Sequence, residues 1–203
     1  MFKKIFSSPA LLFLIAANLY CIWYYQKYTD GFATIVWIYW FQSVIIGLFN
    51  FVDLLTIKNF STANFQVNKK PVQKNAKGCI AWFFLFHYGA FHFAYMIFLL
   101  VQVGVLSVNF TFLFLGVLAF LFESTINFIR RKQQEKVTAF NIGTLFFLPY
   151  VRIVPMHLMI LGPAFLGWKP SLVFLILKMG ADIISLLLYN IIFNKNKSDS
   201  ATQ

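Results

Sequence analysis

The sequence predicts an all-α protein: a polytopic transmembrane bundle of about six helices arranged as three hairpins, with both termini cytoplasmic. Composition, apolar run length and charge placement carry that expectation. Of the 203 residues, 60% are hydrophobic, 20% aromatic and only 11% charged, whereas soluble domains average about 45–50% apolar and roughly 25% charged residues. A water-facing fold of this size cannot hide so much apolar surface. Apolar runs of about 20 residues, long enough to cross a bilayer core, recur along the chain. The basic residues fall almost wholly between those runs.

The runs occupy residues 9–26, 32–55, 79–101, 105–129, 142–166 and 171–193 of a single membrane domain, 1–203. The first follows Lys3 and Lys4 and imitates a signal peptide, but no small-x-small cleavage site follows, so it reads as a retained helix. The second leads into a gap holding Lys58, Lys69, Lys70, Lys74 and Lys77, and the fourth into one holding Arg130, Arg131, Lys132 and Lys136. The fifth contains Pro149, Pro155 and Pro163, each removing a helical donor. Residues 142–149 therefore either open the helix or lie along the interface, with the span starting near Tyr150. Lys195 and Lys197 follow the sixth. These clusters alternate with gaps holding only Lys27 and Lys169, so the positive-inside rule puts every cluster in the cytoplasm. Short outward gaps make hairpins of consecutive helices. The loop 57–78 and the tail 194–203 are polar and read as mobile. Trp23, Trp37, Trp82 and Trp168 fall near helix ends, where indoles favour the interface.

The net charge of +11 does not imply nucleic acid, because no basic helical face exists to track a phosphate backbone. The expected partner is the lipid bilayer. Cys21 and Cys79 fall near opposite ends of their helices, too far apart for a disulfide, and lack the paired spacing of zinc or redox motifs. The sequon at Asn59 lies in a cytoplasmic loop, where no glycan is expected.

The polar residues inside the runs are patterned. At about 100° per residue, His87, Tyr88, Phe91, His92 and Tyr95 fall within a sector about 140° wide. Lys178, Asp182, Ser185 and Tyr189 form a stripe roughly 60° wide on the sixth helix. Asn109, Gly116, Glu123 and Asn127 align on the fourth, and Tyr39, Gln42, Asn50 and Asp53 share a face of the second. Asn18 is the strongly polar residue deep in the first. An ionised group facing lipid costs at least about 2.5–3.5 kcal/mol, so these stripes should face inward. Depth then pairs Glu123 with Arg152 as a structural ion pair, and Lys178 with Asp182 one turn away. Gln42, His87, His92, His157 and Asp182 share the central layer, and with Tyr95 and Lys178 they form the candidate polar site.

Four segments, "YWFQSVIIGLFN" (39–50), "FHYGAF" (86–91), "PYVRIVPMHLMI" (149–160) and "LKMGADI" (177–183), occur in that order. Together they resemble a family of small prokaryotic integral membrane proteins catalogued as a domain of unknown function. The resemblance implies a membrane architecture and these site residues, and no reaction. Gln42 stands where that family usually has Glu, Tyr95 where a second His is expected, and Leu186 near a further missing His. A family site built on those groups would be altered in this chain.

Three functions fit the pattern. In the plainest, the polar groups only hydrogen-bond neighbouring helices, at about 0.6 kcal/mol per contact. In a small proton-linked transporter, Asp182, Lys178 and the imidazoles would relay protons, since His titrates near neutrality. Pro155, Gly162 and Pro163 would then break a helix near the site, and so few helices imply a homodimer. In a metal-dependent hydrolase acting on lipid or intramembrane peptide, zinc would be held by His87, His157 and Asp182, with His92 nearby. No His-Glu-x-x-His signature accompanies that set, so enzymatic activity is the less favoured expectation.

Overall fold

A computed structural model of the chain describes residues 9–28, 31–63, 65–67, 70–137, 139–167 and 172–200; within these, the side chains of residues 10, 67, 70–71, 152, 155–156, 158–166 and 189–200 are not described. Trp168, Lys69 and Lys169 therefore lie outside the described residues, as do the side chains of Arg152 and Tyr189. The described residues form six α-helices: α1 (Pro9–Lys27), α2 (Gly31–Thr56), α3 (Lys77–Gln102), α4 (Phe110–Glu135), α5 (Ile142–Leu166) and α6 (Leu172–Ser200). Among them α2, α4 and the stretch Lys74–Gln102 are long and apolar enough to cross a membrane, and Ile142–Val151 is a shorter apolar stretch.

Local chemistry sets the helix ends. The third helix stops where Gly104 adopts a φ of +68°, a left-handed conformation that glycine enters without a Cβ penalty. Its N–H and that of Val103 both donate to the Leu99 carbonyl. The fourth starts at an N-cap: the Asn109 carboxamide oxygen accepts from the Phe112 N–H at 3.0 Å. Asn109 is thus a cap and not part of the polar stripe expected on α4. Asn141 does the same for the fifth helix, accepting from Thr144 N–H at 3.1 Å. That helix then runs from Ile142 through Pro149 without a break, so residues 142–149 are helical. The sixth continues to Ser200, through most of the polar tail, because no glycine or proline follows Gly180.

The second helix sits at the centre and packs against α3, α4 and α5, with a smaller contact to α1; the first packs against α4 and α6, and the fifth against α6. Consequently α3 and α4, though joined by a short link, pack mainly against α2 and not against each other. Two glycines permit this approach. A Cβ on Gly47 would come within 2.8 Å of Tyr88 Cδ1, and one on Gly116 within 2.8 Å of Ile38 Cδ1. Large apolar side chains point outward, Phe86, Phe93, Phe110 and Phe114 being 60–71% exposed. Asn18, Gln42, Asn50, Asp53, Glu123, Lys178 and Asp182 are buried. An apolar exterior around a polar interior inverts the arrangement of soluble proteins.

The loop after α2 is built, not merely polar. Its strand β1 (Phe60–Ser61) pairs in parallel with β4 (Phe140–Asn141), just before α5; β2 (Gln66–Val67) pairs antiparallel with β3 (Lys70–Pro71). Phe140 is fully buried and Ile57 nearly so, so aromatic and aliphatic anchors between the lysines hold this loop to the α4–α5 link.

Candidate functional site

Four residues apart on α6, Lys178 and Asp182 meet on the face turned to α1 and α2. Their Nζ–Oδ1 distance is 2.6 Å, and the side chains are 1% and 0% exposed. Gln42 of α2 bridges the pair: its carbonyl oxygen accepts from Lys178 at 2.9 Å, and its amide nitrogen donates to Asp182 Oδ2 at 3.0 Å. The first helix closes the ring through Asn18, whose amide nitrogen donates to Asp182 Oδ2 at 3.3 Å and to the Leu14 carbonyl at 2.9 Å. The Tyr39 hydroxyl donates to Asn18 Oδ1 at 3.3 Å, and its ring lies 5.1 Å from the Lys178 ammonium.

Thus one carboxylate accepts from side chains on three helices, and one ammonium is met by a carboxylate, an amide oxygen and a ring face. Charge-assisted bonds of this length are about twice as strong as neutral ones. A fully bonded pair is the form in which buried ions are tolerated. Cys21, fully buried, sits beside Tyr39 at the edge of this group. The two cysteines are free thiols, as their spacing implies.

The histidines do not join that network. His87 lies on the exposed side of α3, where Nδ1 shares a 2.8 Å hydrogen bond with the Tyr150 hydroxyl. The wide sector read from sequence is in fact split: Tyr88, His92 and Tyr95 are buried, whereas Phe91 is 47% exposed. A helix lying against one neighbour hides a narrower arc than 140°, and the arc is centred on Tyr88, whose hydroxyl donates to the Ser43 carbonyl at 2.9 Å. His92 is 4% exposed; its Nδ1 bonds the Tyr88 carbonyl at 2.9 Å and its ring stacks on Tyr88. Half-buried His157 bonds the Ile153 carbonyl through Nδ1 at 2.9 Å and meets the Tyr95 ring edge-on at 4.4 Å. A carbonyl only accepts, so each Nδ1 carries a proton, and the neutral form of each ring has its lone pair at Nε2.

The candidate site is therefore divided. Gln42, Lys178 and Asp182 assemble; His92, Tyr95 and His157 gather on α3 and α5; His87 stands apart with Tyr150. Among the described residues no group of three or more His, Cys, Asp or Glu is placed to hold a metal, so His87, His157 and Asp182 do not converge as a zinc set. Glu123 is buried and accepts from Ser124 Oγ at 3.2 Å and Asn127 Nδ2 at 2.7 Å. Its expected partner Arg152 has no described side chain.

Sequence reasoning missed one cluster. Asp53 of α2 pairs with Arg131 Nε and, at 3.4 Å, with Lys132 of α4. Lys132 also reaches Glu135 at 3.1 Å, and the Glu135 carboxylate accepts from the Lys58 and Asn59 backbone N–H groups. Arg131 and Lys132 read as loop charges; the available signal was an acid on the polar face of the second helix at the same end as that basic cluster. Trp37, expected near a helix end, is 6% exposed and donates to the Gly104 carbonyl in the α3–α4 link at 2.9 Å.

A family model described as a family of unknown function (DUF6498) matches residues 1–195. No curated protein and no solved structure matches the chain.

Proposed function

The chain belongs to that family of unknown function, and we propose that it is a multi-pass integral membrane protein whose Lys178–Asp182 pair exchanges protons, as a small proton-linked carrier would require. In this reading all six helices cross the bilayer, and both termini are cytoplasmic. Helix lengths support it: α1 has 19 residues and α6 has 29, and at about 1.5 Å per residue both reach across a hydrocarbon core of about 30 Å. The shared end of the 57–73 loop and the α4–α5 link supports it too, because it gathers two basic clusters on one side.

The observation that carries the proton assignment is the Lys178–Asp182 contact at 2.6 Å with almost no exposure. Ionisable groups inside lipid-embedded bundles are costly, and a functional role is their default reading. Replacing a whole buried ion pair by neutral groups of similar volume is often neutral or stabilising, so function explains the retained Lys178–Asp182 pair better than cohesion does. Infrared difference spectroscopy on protein in lipid tests this. The expected result is a protonated-carboxyl band that grows on acidification and is missing in Asp182→Asn. Vesicles holding the wild-type chain should also pass protons faster than vesicles holding that variant. A carboxylate that never titrates would reduce the pair to a structural clasp.

One observation favours a second reading, metal binding. His92 Nε2 is buried without a hydrogen-bond partner among the described residues, and the ring interacts electrostatically with His157. A neutral imidazole nitrogen of this kind is a zinc ligand. Metal analysis of purified protein tests it: zinc that is lost in His157→Ala supports the reading, and metal-free wild type ends it.

A further inference from the structure

Between α2, α4, α5 and α6 the bundle holds a cavity of about 60 Å³ whose polar wall is Asn50, Ser124, Asn127, Arg131 and Ser185. Two of these residues have unmet needs. Asn50 Nδ2 and Ser185 Oγ have no hydrogen-bond partner among the described residues, although the residues are only 7% and 2% exposed. An unpaired buried polar group costs about 1–3 kcal/mol, so these atoms call for an occupant of the cavity. Ser124 Oγ and Asn127 Nδ2 already donate to Glu123, which leaves lone pairs on the Ser124 hydroxyl and on the Asn127 carbonyl oxygen to accept.

Size and charge select the occupant. An organic ligand needs a pocket of about 300 Å³ or more. A guanidinium in the wall disfavours a metal cation. A water needs about 10–15 Å³ and two to four polar partners, so this space takes roughly four. The donors and acceptors on the wall are mixed, as water requires.

Position gives the waters a role. At one end Arg131 is 18% exposed and bound to Asp53. At the other, Ser185 lies one turn beyond Asp182 on the same buried face of α6. On α2, Asn50 lies two turns beyond Gln42. We propose that this cavity is a hydrated inlet joining the Arg131–Asp53 end of the bundle to the Lys178–Asp182 pair. A proton arriving along it forms the O–H bond of the Asp182 acid as the last hydronium gives up its own. That role rests on the proton-exchange reading above; the hydration does not.

X-ray hydroxyl-radical footprinting of the full chain in lipid nanodiscs tests the inlet, because bound water is radiolysed in place and marks its neighbours. Leu145 and Leu186 line the cavity, whereas Leu11 and Leu54 are buried away from it. The lining leucines should be modified several-fold faster, and Asn50→Leu, which fills the space, should remove the excess while Leu11 and Leu54 stay protected. If Asn50→Leu exposes those two reporters, Ser185→Ala is the replacement variant and should lower the excess. Equal rates at all four leucines in the wild type overturn the proposal. The Asp182 carboxyl band separates the two readings. Marked leucines with no titrating band keep the water and remove the proton, whereas a titrating band with unmarked leucines keeps the proton and removes the inlet. If both hold, deuterium exchange at that band should slow several-fold in Asn50→Leu; an unchanged rate overturns the route.

Discussion

Asp182 accepts from Lys178, Gln42 and Asn18, so neutralising it alters three helices at once. In Asp182→Asn the Lys178 ammonium remains buried without a counter-ion, a situation that costs about 3–5 kcal/mol. Thermal unfolding in detergent should show that loss, and Lys178→Gln combined with Asp182→Asn should recover much of it. A double variant as unstable as the sum of the single ones would mean that the two residues are not coupled. Gly47 is a second single-residue test. Its hydrogen faces the Tyr88 ring, and Gly47→Ala should cost about 1–3 kcal/mol through overpacking. The same substitution at Gly89, where a Cβ meets nothing within 4 Å, should be neutral or stabilising. At this scale the Lys178–Asp182 pairing was legible, because i, i+4 spacing on one helix makes opposite charges neighbours. Gln42 was legible as sharing a layer with Asp182, but the bonds by which it and Asn18 reach that carboxylate were not, because they join residues 140 and 164 positions apart in the chain.

Among the elements, the clasp between the 57–73 loop and the polar end of α4 has a pH dependence of its own. Glu135 lies beyond Arg130, outside the apolar part of its helix. Burial alone would raise its carboxyl, but the Lys58 N–H, the Lys132 ammonium and the Asn59 N–H together hold it below its ordinary value. A depressed carboxylate contributes stability that is present above its unfolded pKa and fades as pH falls through its folded pKa. Hydrogen-exchange protection at Phe60 and Phe140, taken relative to the intrinsic rate at each pH, should therefore be high near neutrality and fall on acidification, and in Glu135→Gln it should be low throughout. Protection that ignores pH in the wild type would show that the strand pair alone holds the loop. Helix positions were readable from apolar run length and moved by one or two residues at most ends; α4 starts later because Asn109 caps it, and α4 and α6 run on past their apolar stretches to Glu135 and Ser200. The histidine face was misjudged for a geometric reason. A helical wheel gives angles but not the width of the arc a neighbour covers, and α2 covers the side with Tyr88, His92 and Tyr95.

Among the described residues Gln42, Glu123, Lys178 and Asp182 are buried while large apolar side chains such as Phe86, Phe93, Phe110 and Phe114 face outward, a distribution suited to apolar surroundings. Reporter fusions at both termini and within residues 57–77 should all report the cytoplasm, and fusions at residues 28–30 and 104–108 the opposite side. A loop reporter outside the cell would reverse the orientation drawn from lysine placement. The helical character of the chain, and helices long and apolar enough to cross a membrane, were determined by composition and run length alone, since an apolar run of about 20 residues depends on no particular partner. Which helices touch was decided only in three dimensions. Contacts of α2 with α3, α4 and α5, the Asp53–Arg131 pair and the cavity beside Asn50 and Ser185 all depend on where small residues let helices approach. That complementarity of surfaces is a property of pairs of helices and is not written in either one by itself.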